Sequence, residues 1–178
     1  VNATITSFKV AFLTMLVATP LGIMAAYGLY VSGSRLGRLL FFINYKSLST
    51  LGGLGYQTPA PGTIASLIGV GTAWPMHVYG PPYSLAAAAL IAFCIGCWSA
   101  DKYQKSTQPS DAPELVIDEL SGQWFSLAFL PPDLLYFGVG FLLFRLYDIS
   151  KPWPINFVDR CVKGGFGVMA DDILAALY

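Results

Sequence analysis

A long uncharged stretch limits what this chain can fold into. Between Ser47 and Ala100 the sequence contains no Asp, Glu, Lys or Arg. Of the 178 residues, 55% are hydrophobic and only 11% are charged, whereas about a quarter of a soluble domain is charged. This balance is typical of a membrane protein. The formal net charge is +0, so the sequence has no basic surface for nucleic acid, and we predict no such partner.

Two helices fit into the uncharged stretch. We expect them at about 63–78 and 84–100, separated by a turn at Gly80-Pro81-Pro82. Thr63 stands where an N-cap is expected, and Pro75 is expected to end or bend the first helix. Both helices are short for crossing a hydrocarbon core of about 30 Å. The sequence therefore leaves open whether they span a bilayer or pack as a bundle on it.

The N-terminal segment has the pattern of a transmembrane helix. Val10–Val31 carries no charge and is long enough to span the hydrocarbon core. One basic residue precedes this run and three follow it, namely Lys9, and Arg35, Arg38 and Lys46. Because basic residues favour the cytoplasmic side, this bias predicts that the C-terminal side faces the cytoplasm.

The chain is accordingly divided into two parts. Residues 1–46 are predicted to form a transmembrane helix with a basic linker, and residues 47–178 a second, catalytic domain. Within the first part, residues 2–40 weakly resemble one helix of a binding-protein-dependent transporter permease, through the run FKVAFLTMLVATPLGIMAAYGL.

Polar loops and further helices alternate in the C-terminal part. Residues 101–114 are polar and contain proline, which predicts a surface loop. Prolines then interrupt the predicted helices, which we expect at about 115–130, at 134–147 and from near Gly167 to Ala176. The predicted fold class is all-α, a compact multi-helix bundle associated with a membrane.

Several kinds of phosphatase are excluded by what the sequence lacks. Its single histidine, His77, is isolated in an apolar stretch, which excludes histidine-based hydrolysis at a cytoplasmic site. Cys161 lacks the arginine that a phosphate-binding cysteine loop places six residues later, where Gly167 stands. Cys94 and Cys97 have CxxC spacing, but their apolar surroundings favour core packing.

Carboxylates are the remaining candidates for chemistry. Oxygen-rich sites with few nitrogen ligands suit hard cations, above all Mg²⁺. The predicted catalytic acids are Asp118, Glu119, Asp148, Asp171 and Asp172. We expect Asp148 and Asp171 to bind the metal, with Asp118 as a third ligand. Asp118, Glu119 and Asp172 are also the candidates for a further ligand or a general base.

Basic residues and glycines near these acids predict contacts to a phosphate group. Glycines before a helix let backbone N–H groups approach a phosphate closely, and cationic side chains bind its oxygens. The predicted substrate-binding residues are Thr63, Arg145, Lys151, Lys163, Gly164, Gly165 and Gly167.

Some of these residues also have simpler structural roles open to them. Arg145 and Asp148 lie three residues apart at a predicted helix end and can form an ordinary ion pair. Asp171 and Asp172 can stabilise a helix by lying in its first turn. Thr63 can act as a helix cap alone.

Four sequence runs resemble the phosphatidylglycerophosphatase A family. They are LGYQTPAPGTIAS, the Asp118-Glu119 step with Gly122 and Trp124, FRLYDISKPWPI, and DRCVKGGFGVMADDILAALY. The resemblance covers about residues 51–178. It implies an all-helical, membrane-associated, Mg²⁺-dependent phosphatase. Such an enzyme removes the terminal phosphate of phosphatidylglycerophosphate to give phosphatidylglycerol and inorganic phosphate.

Two positions depart from the family pattern without removing an acid or a base: Ala65 replaces a common Gly, and Ser121 a usual apolar residue. The resemblance implies a place in the bacterial inner membrane, with the active site facing the cytoplasm. A transporter subunit, a structural membrane protein and a phosphatase for another lipid phosphate stay open as alternatives. No residue pattern in the sequence indicates how the glycerol head group would be recognised. The oligomeric state is also open.

Overall fold

The computed structural model describes residues 44–107 and 112–178. All regular structure in these two ranges is α-helical, so the predicted all-α class is confirmed. The helices are α1 (Tyr45–Ser49), α2 (Leu54–Gln57), α3 (Pro61–Tyr79), α4 (Ser84–Thr107), α5 (Ile117–Leu127), α6 (Leu134–Ser150), α7 (Ile155–Cys161) and α8 (Gly164–Ala176). The transmembrane helix predicted at 10–31 lies outside the described residues.

α3 begins two residues earlier than predicted. Pro61 occupies its first turn, where the missing N–H of proline costs no hydrogen bond, and Ala60 is the N-cap. Thr63 therefore lies inside the helix, and the expectation that it caps α3 is wrong. Pro75 does not end the helix either, because α3 continues to Tyr79. The predicted turn at 80–82 does separate α3 from α4.

α4 is longer than predicted. Because it continues to Thr107, the first half of the predicted loop at 101–114 is helical instead. Tyr103 explains the extension, since its side chain is almost completely buried and its hydroxyl donates to Glu114 Oε1 at 2.7 Å. The hydroxyl of Thr107 also donates to the Tyr103 carbonyl. Within the described ranges, α4 is the one helix long and apolar enough to cross a membrane.

α8 also begins earlier than predicted, at Gly164, which has a positive φ of 77°. Asp171 and Asp172 consequently lie beyond the first turn, where the helix carries no acid. The simple explanation that these two acids stabilise a helix N-terminus is therefore wrong. The short helices α1, α2 and α7 were not predicted.

α5 lies at the centre of the bundle and packs against α3, α4, α6 and α8. At one end of the bundle the core consists of Ala73, Leu85, Leu127 and Phe137. At the other end it consists of Phe144, Ile155 and Ala175. We call the first the distal end and the second the site end.

Apolar side chains also cover much of the outside. On α6 the residues Leu135, Val139, Leu142, Leu146 and Ile149 are all exposed. Their spacing of three or four residues places them in one stripe along the helix, which we call the outer face of α6. An exposed apolar stripe of this length indicates contact with an apolar partner or a membrane.

Candidate active site

Three helices bring their acids together at the site end. Asp118 and Glu119 lie in the first turn of α5, Asp148 lies near the end of α6, and α8 carries Asp171 and Asp172. Gly122 of α5 allows this convergence. A Cβ at Gly122 would lie 2.7 Å from the ring of Phe144 on α6 and 3.1 Å from Cβ of Asp172 on α8. The missing side chain therefore lets three acid-bearing helices approach one another.

The convergence encloses a cavity of about 150 Å³. Its charged lining residues are Asp118, Glu119, Asp148, Lys151, Asp159, Asp171 and Asp172. The lining also includes Gln104, Ala112, Pro113, Leu115 and Val168. All five acids predicted from the sequence, together with Lys151, thus border one cavity.

Asp118, Glu119 and Asp172 form the tightest group of acids. One carboxylate oxygen of each lies within 4.8 Å of the other two. Glu119 Oε2 and Asp172 Oδ2 are buried and have no hydrogen-bond partner among the described residues. A buried carboxylate oxygen without a partner is costly, so this group has two oxygens ready for a ligand that the protein itself does not provide. We call these three residues the acid cluster.

Crowding and burial shift the titration of these acids. Burial raises the pKa of Asp118 and of Asp172 well above the usual range, and neighbouring acids add to both shifts. Burial raises the pKa of Glu119 to about 7, partly offset by a hydrogen bond that its carboxylate accepts from Asp118. Burial likewise raises the pKa of Asp171 to about 6, partly offset by Lys151. The charged forms of these acids are therefore disfavoured in the folded protein unless a positive charge compensates them.

This chemistry fits a hard divalent cation. All three donors of the acid cluster are carboxylate oxygens, which Mg²⁺ prefers over nitrogen or sulfur. The two unpartnered oxygens supply coordination positions that need no rearrangement of hydrogen bonds. A cation there would also favour the charged forms of these acids, whose pKa values are raised by burial and by neighbouring acids.

Arg145 lies beside the acid cluster rather than among the residues that line the cavity. Its Nη1 donates to Asp148 Oδ2 and lies 3.5 Å from Ser66 Oγ, while its Nε is buried without a partner among the described residues. The ordinary ion pair that the spacing of Arg145 and Asp148 allows is therefore present. The Cβ that Gly62 lacks would overlap Glu119 Oε1, so α3 approaches this side of the site closely.

Lys151 lies on the other side of the cavity. It is the C-cap of α6 in the left-handed conformation, with φ of 41°. Its Nζ donates to Asp171 Oδ2 and to Asp159 Oδ1, each at 2.7 Å. Two of the predicted metal ligands, Asp148 and Asp171, are thus already ion-paired with a base.

The glycine turn that was predicted to contact phosphate does not border this cavity. A Cβ at Gly165 would overlap the carbonyl oxygen of Cys97, and one at Gly167 that of Val162. These glycines allow close packing of α8, and neither they nor Gly164 and the exposed Lys163 border the cavity described above. Thr63, in the first turn of α3, is not among the lining residues of that cavity either. A phosphate contact from any of these residues stays a prediction.

Three residues at the site were not assigned from the sequence. Asp159 and Gln104 line the cavity, and buried Ser66 contacts Arg145. Asp159 had a visible signal, because it lies in the charge-rich run after α6. Gln104 had none, since it fell in a predicted loop that is helical.

Clustered buried acids with raised pKa values are typical of enzyme active sites. Beside a small cavity and two bases, they are the features expected of an enzyme site that handles a charged group. The chain belongs to the phosphatidylglycerophosphatase A family, whose model matches residues 47–178. The family resemblance inferred from the sequence is thereby confirmed.

Relatives in two bacteria support the same assignment. Phosphatidylglycerophosphatase A of Escherichia coli strain K12 is 35% identical over 126 residues, which is 70% of this chain and 73% of the relative. The protein of the same name in Haemophilus influenzae is 37% identical over 129 residues, 71% of this chain and 78% of the relative.

A Bacteroides thetaiotaomicron protein, provisionally named as a phosphatidylinositol-3-phosphatase, is 35% identical over 133 residues, 71% of this chain and 82% of the relative. No solved structure matches the chain. The relatives' names are those of phosphatases, so the chain is a member of an enzyme family, and the transporter alternative is not favoured.

Proposed function

We propose that this protein is a phosphatase that hydrolyses the terminal phosphate of phosphatidylglycerophosphate. The observation that carries the proposal is the acid cluster with its two unpartnered buried oxygens, next to Lys151 and Arg145. Family membership supplies the substrate class. The size of the cavity agrees with this substrate. Pockets for drug-sized ligands measure about 300–1,000 Å³, so a cavity of about 150 Å³ suits a phosphoryl head group whose lipid chains stay outside.

Magnesium assistance is part of this proposal. Asp118, Glu119 and Asp172 would hold the ion, supported by their mutual distances and by the unpartnered oxygens. This set differs from the one favoured by the sequence, because Asp148 and Asp171 are each paired with a base. A bound Mg²⁺ would supply Lewis-acid neutralisation of charge on the phosphoryl oxygens.

The remaining residues of the site have distinct roles in the proposed reaction. Lys151 would bind a phosphoryl oxygen as a point charge, and Arg145 would support the phosphate from the α6 side. A carboxylate oxygen of Asp171 or Asp148 would accept a proton from the attacking water as the phosphorus–oxygen ester bond breaks. The same carboxyl group would return that proton to the leaving alkoxide of the lipid.

A membrane position for the catalytic domain agrees with its surface. The outer face of α6 is apolar, and α4 exposes Leu90, Ile91 and Ile95. Exposed Trp98 and Trp153 lie on the site-end half of the molecule, and such residues favour the membrane–water boundary. We infer that lipid surrounds these helices while the cavity opens near the boundary, where the phosphate of a lipid head group lies.

A cytoplasmic orientation in the bacterial inner membrane is proposed on the basis of charge. Lys102 and Lys105 follow the apolar part of α4 on the site side, as the positive-inside rule requires of a cytoplasmic end. Exposed Cys161, at the end of α7, offers a test once the other two cysteines, exposed Cys94 and half-buried Cys97, are replaced by serine. A membrane-impermeant maleimide is expected to label it in inverted vesicles and not in spheroplasts, and the reverse pattern would contradict the orientation.

A substrate panel tests the proposed function directly. Phosphate release would be measured for the purified protein in detergent with phosphatidylglycerophosphate, phosphatidylinositol 3-phosphate and phosphatidic acid. We expect phosphatidylglycerophosphate to be hydrolysed with the highest kcat/KM. Preference for phosphatidylinositol 3-phosphate, which the name of the Bacteroides relative suggests, would overturn the assigned head group. Inactivity on all three lipids would overturn the proposed function.

A further inference from the structure

Asp159 is an acid that the proposed chemistry does not use. It borders the cavity but is not part of the acid cluster. It adds negative charge where a phosphate dianion has to enter, and such a charge by itself opposes substrate binding. Its side chain is 37% exposed, so Asp159 is not part of the buried core.

Lys151 has two different partners. Its Nζ lies 2.7 Å from Asp171 Oδ2, whose side chain is 7% exposed, and 2.7 Å from Asp159 Oδ1. Exposed ion pairs contribute little to stability and exchange easily, whereas a buried acid that loses its partner is strongly destabilised. Of the two contacts, the one to Asp159 is therefore the one that can open at low cost.

The backbone keeps Lys151 in place while that contact opens. Its left-handed conformation and its N–H donation to the Tyr147 carbonyl at 2.8 Å fix where the side chain leaves α6. The bond to Asp171 then holds Nζ at the cavity. Lys151 can thus exchange Asp159 for another partner without movement of a helix.

We propose that Asp159 is an exchangeable counter-ion of Lys151, which a phosphoryl group displaces on binding and which displaces inorganic phosphate on release. This inference rests on the proposed function, because it assumes a phosphate in this cavity. Before phosphate binds, Asp159 occupies a donor of Lys151. A phosphoryl oxygen takes that donor during turnover, and after hydrolysis Asp159 competes with the product for it. Asp159 is therefore a positioning residue that acts through Lys151.

Binding of orthophosphate tests the proposal without depending on turnover. Affinity would be measured by equilibrium dialysis of radiolabelled orthophosphate against the full-length protein in detergent with MgCl₂. Removing a competing exposed ion pair in Asp159→Asn is expected to tighten orthophosphate binding about two- to fivefold. Asp101→Asn is the matched control, because Asp101 is also 37% exposed and ion-paired with a lysine but does not border the cavity. Its affinity should equal that of the wild type.

A Lys151→Met background separates exchange of partners at Lys151 from general charge repulsion between Asp159 and phosphate. In Lys151→Met no partner remains for Asp159 to release, so adding Asp159→Asn should change orthophosphate affinity no further. If the gain persists in this background, Asp159 acts only through its charge and the proposal fails. Unchanged or weaker orthophosphate binding in Asp159→Asn, including no detectable binding to any variant, would also overturn it. Hydrolysis of phosphatidylglycerophosphate by the wild type, measured in parallel, shows whether the proposed function stands independently.

Discussion

Asp172 lies almost completely out of water, with its Oδ2 unpartnered among the described residues and with Asp118, Asp148 and Asp171 close enough to affect its pKa. A buried carboxylate at this position lowers the stability of the folded protein. The cost is explained if the acid binds a ligand that favours its charged form. We therefore expect Asp172 to lower the stability of the folded protein while it contributes to function.

Replacing Asp172 with Asn should change these two properties in opposite directions. Burial raises the pKa of Asp172 in the folded protein, so this acid costs stability at neutral pH, above its unfolded pKa. With EDTA present, its removal is expected to raise Tm by about 2–4 °C, equivalent to about 1 kcal/mol. Phosphate release should fall about 100-fold or more. Thermal unfolding in detergent, with EDTA or with MgCl₂, provides the measurement.

Two controls accompany the Asp172→Asn experiment. Asp101→Asn removes an exposed acid and should alter neither Tm nor activity appreciably. MgCl₂ should stabilise the wild type more than it stabilises Asp172→Asn. Equal stabilisation of both proteins would contradict a role for Asp172 in holding the ion.

Single residues also show what the sequence can reveal about the site. Charged residues are rare in this apolar chain, so five acids could be identified as site candidates from the sequence alone: Asp118, Glu119, Asp148, Asp171 and Asp172. Their individual roles stay predictions. The pairing of Lys151 with Asp159 was not identifiable. It depends on a left-handed residue and on a short helix after two prolines, and neither has a clear sequence signal.

Several helix contacts in this protein depend on glycines, which have no side chain and let two helices approach closely. Gly122 lets α5 approach both α6 and α8, and Gly165 lets α8 approach the backbone of α4. Small residues at such contacts are typical of helices that associate in membranes. The end of α4 and the start of α8 were mispredicted for a separate reason. Tyr103 and Gly165 acquire their partners only in the folded chain, so local sequence could not indicate that the helices include them.

A matched pair of glycine substitutions tests the helix contact at Gly122. Gly122→Ala places a methyl group within 2.7 Å of the Phe144 ring and should destabilise the protein by about 1–3 kcal/mol through overpacking. Activity should also fall, since the same contact aligns α5 with α8. Gly138→Ala is the control, because no atom lies within 4 Å of the added Cβ.

Alanine at Gly138 should be neutral or stabilising by up to about 1 kcal/mol, the helix propensity difference between the two residues. Chemical unfolding in detergent and phosphate release measure both variants. A Gly122→Ala protein as stable and active as Gly138→Ala would show that the helices are not held as closely as described.

At the scale of the whole molecule, the described residues combine a polar cavity at the site end with large apolar surfaces on α4 and α6. The outer face of α6 and the candidate membrane span α4 both belong to residues 47–178. The catalytic domain should therefore bind membranes by itself, whatever residues 1–43 contribute. The predicted transmembrane helix at 10–31 and the division at residue 46 remain predictions.

Deleting residues 1–43 tests this expectation. The remaining chain should stay in the membrane fraction after a high-salt wash, because its contact with lipid is apolar and not electrostatic. Fractionation followed by immunoblotting gives the answer. Release of the shortened protein into the soluble fraction would show that the N-terminal segment is the membrane anchor.

The most direct test of the central claim is phosphate release from phosphatidylglycerophosphate during a MgCl₂ titration. The wild type is expected to be inactive in EDTA and to recover activity in a saturable way as Mg²⁺ is added. Asp118→Asn and Asp172→Asn should stay inactive at Mg²⁺ concentrations that saturate the wild type, and Asp101→Asn should match the wild type. Full wild-type activity in EDTA, or normal Mg²⁺ dependence of both cluster variants, would contradict the claim that the acid cluster binds the ion on which hydrolysis depends.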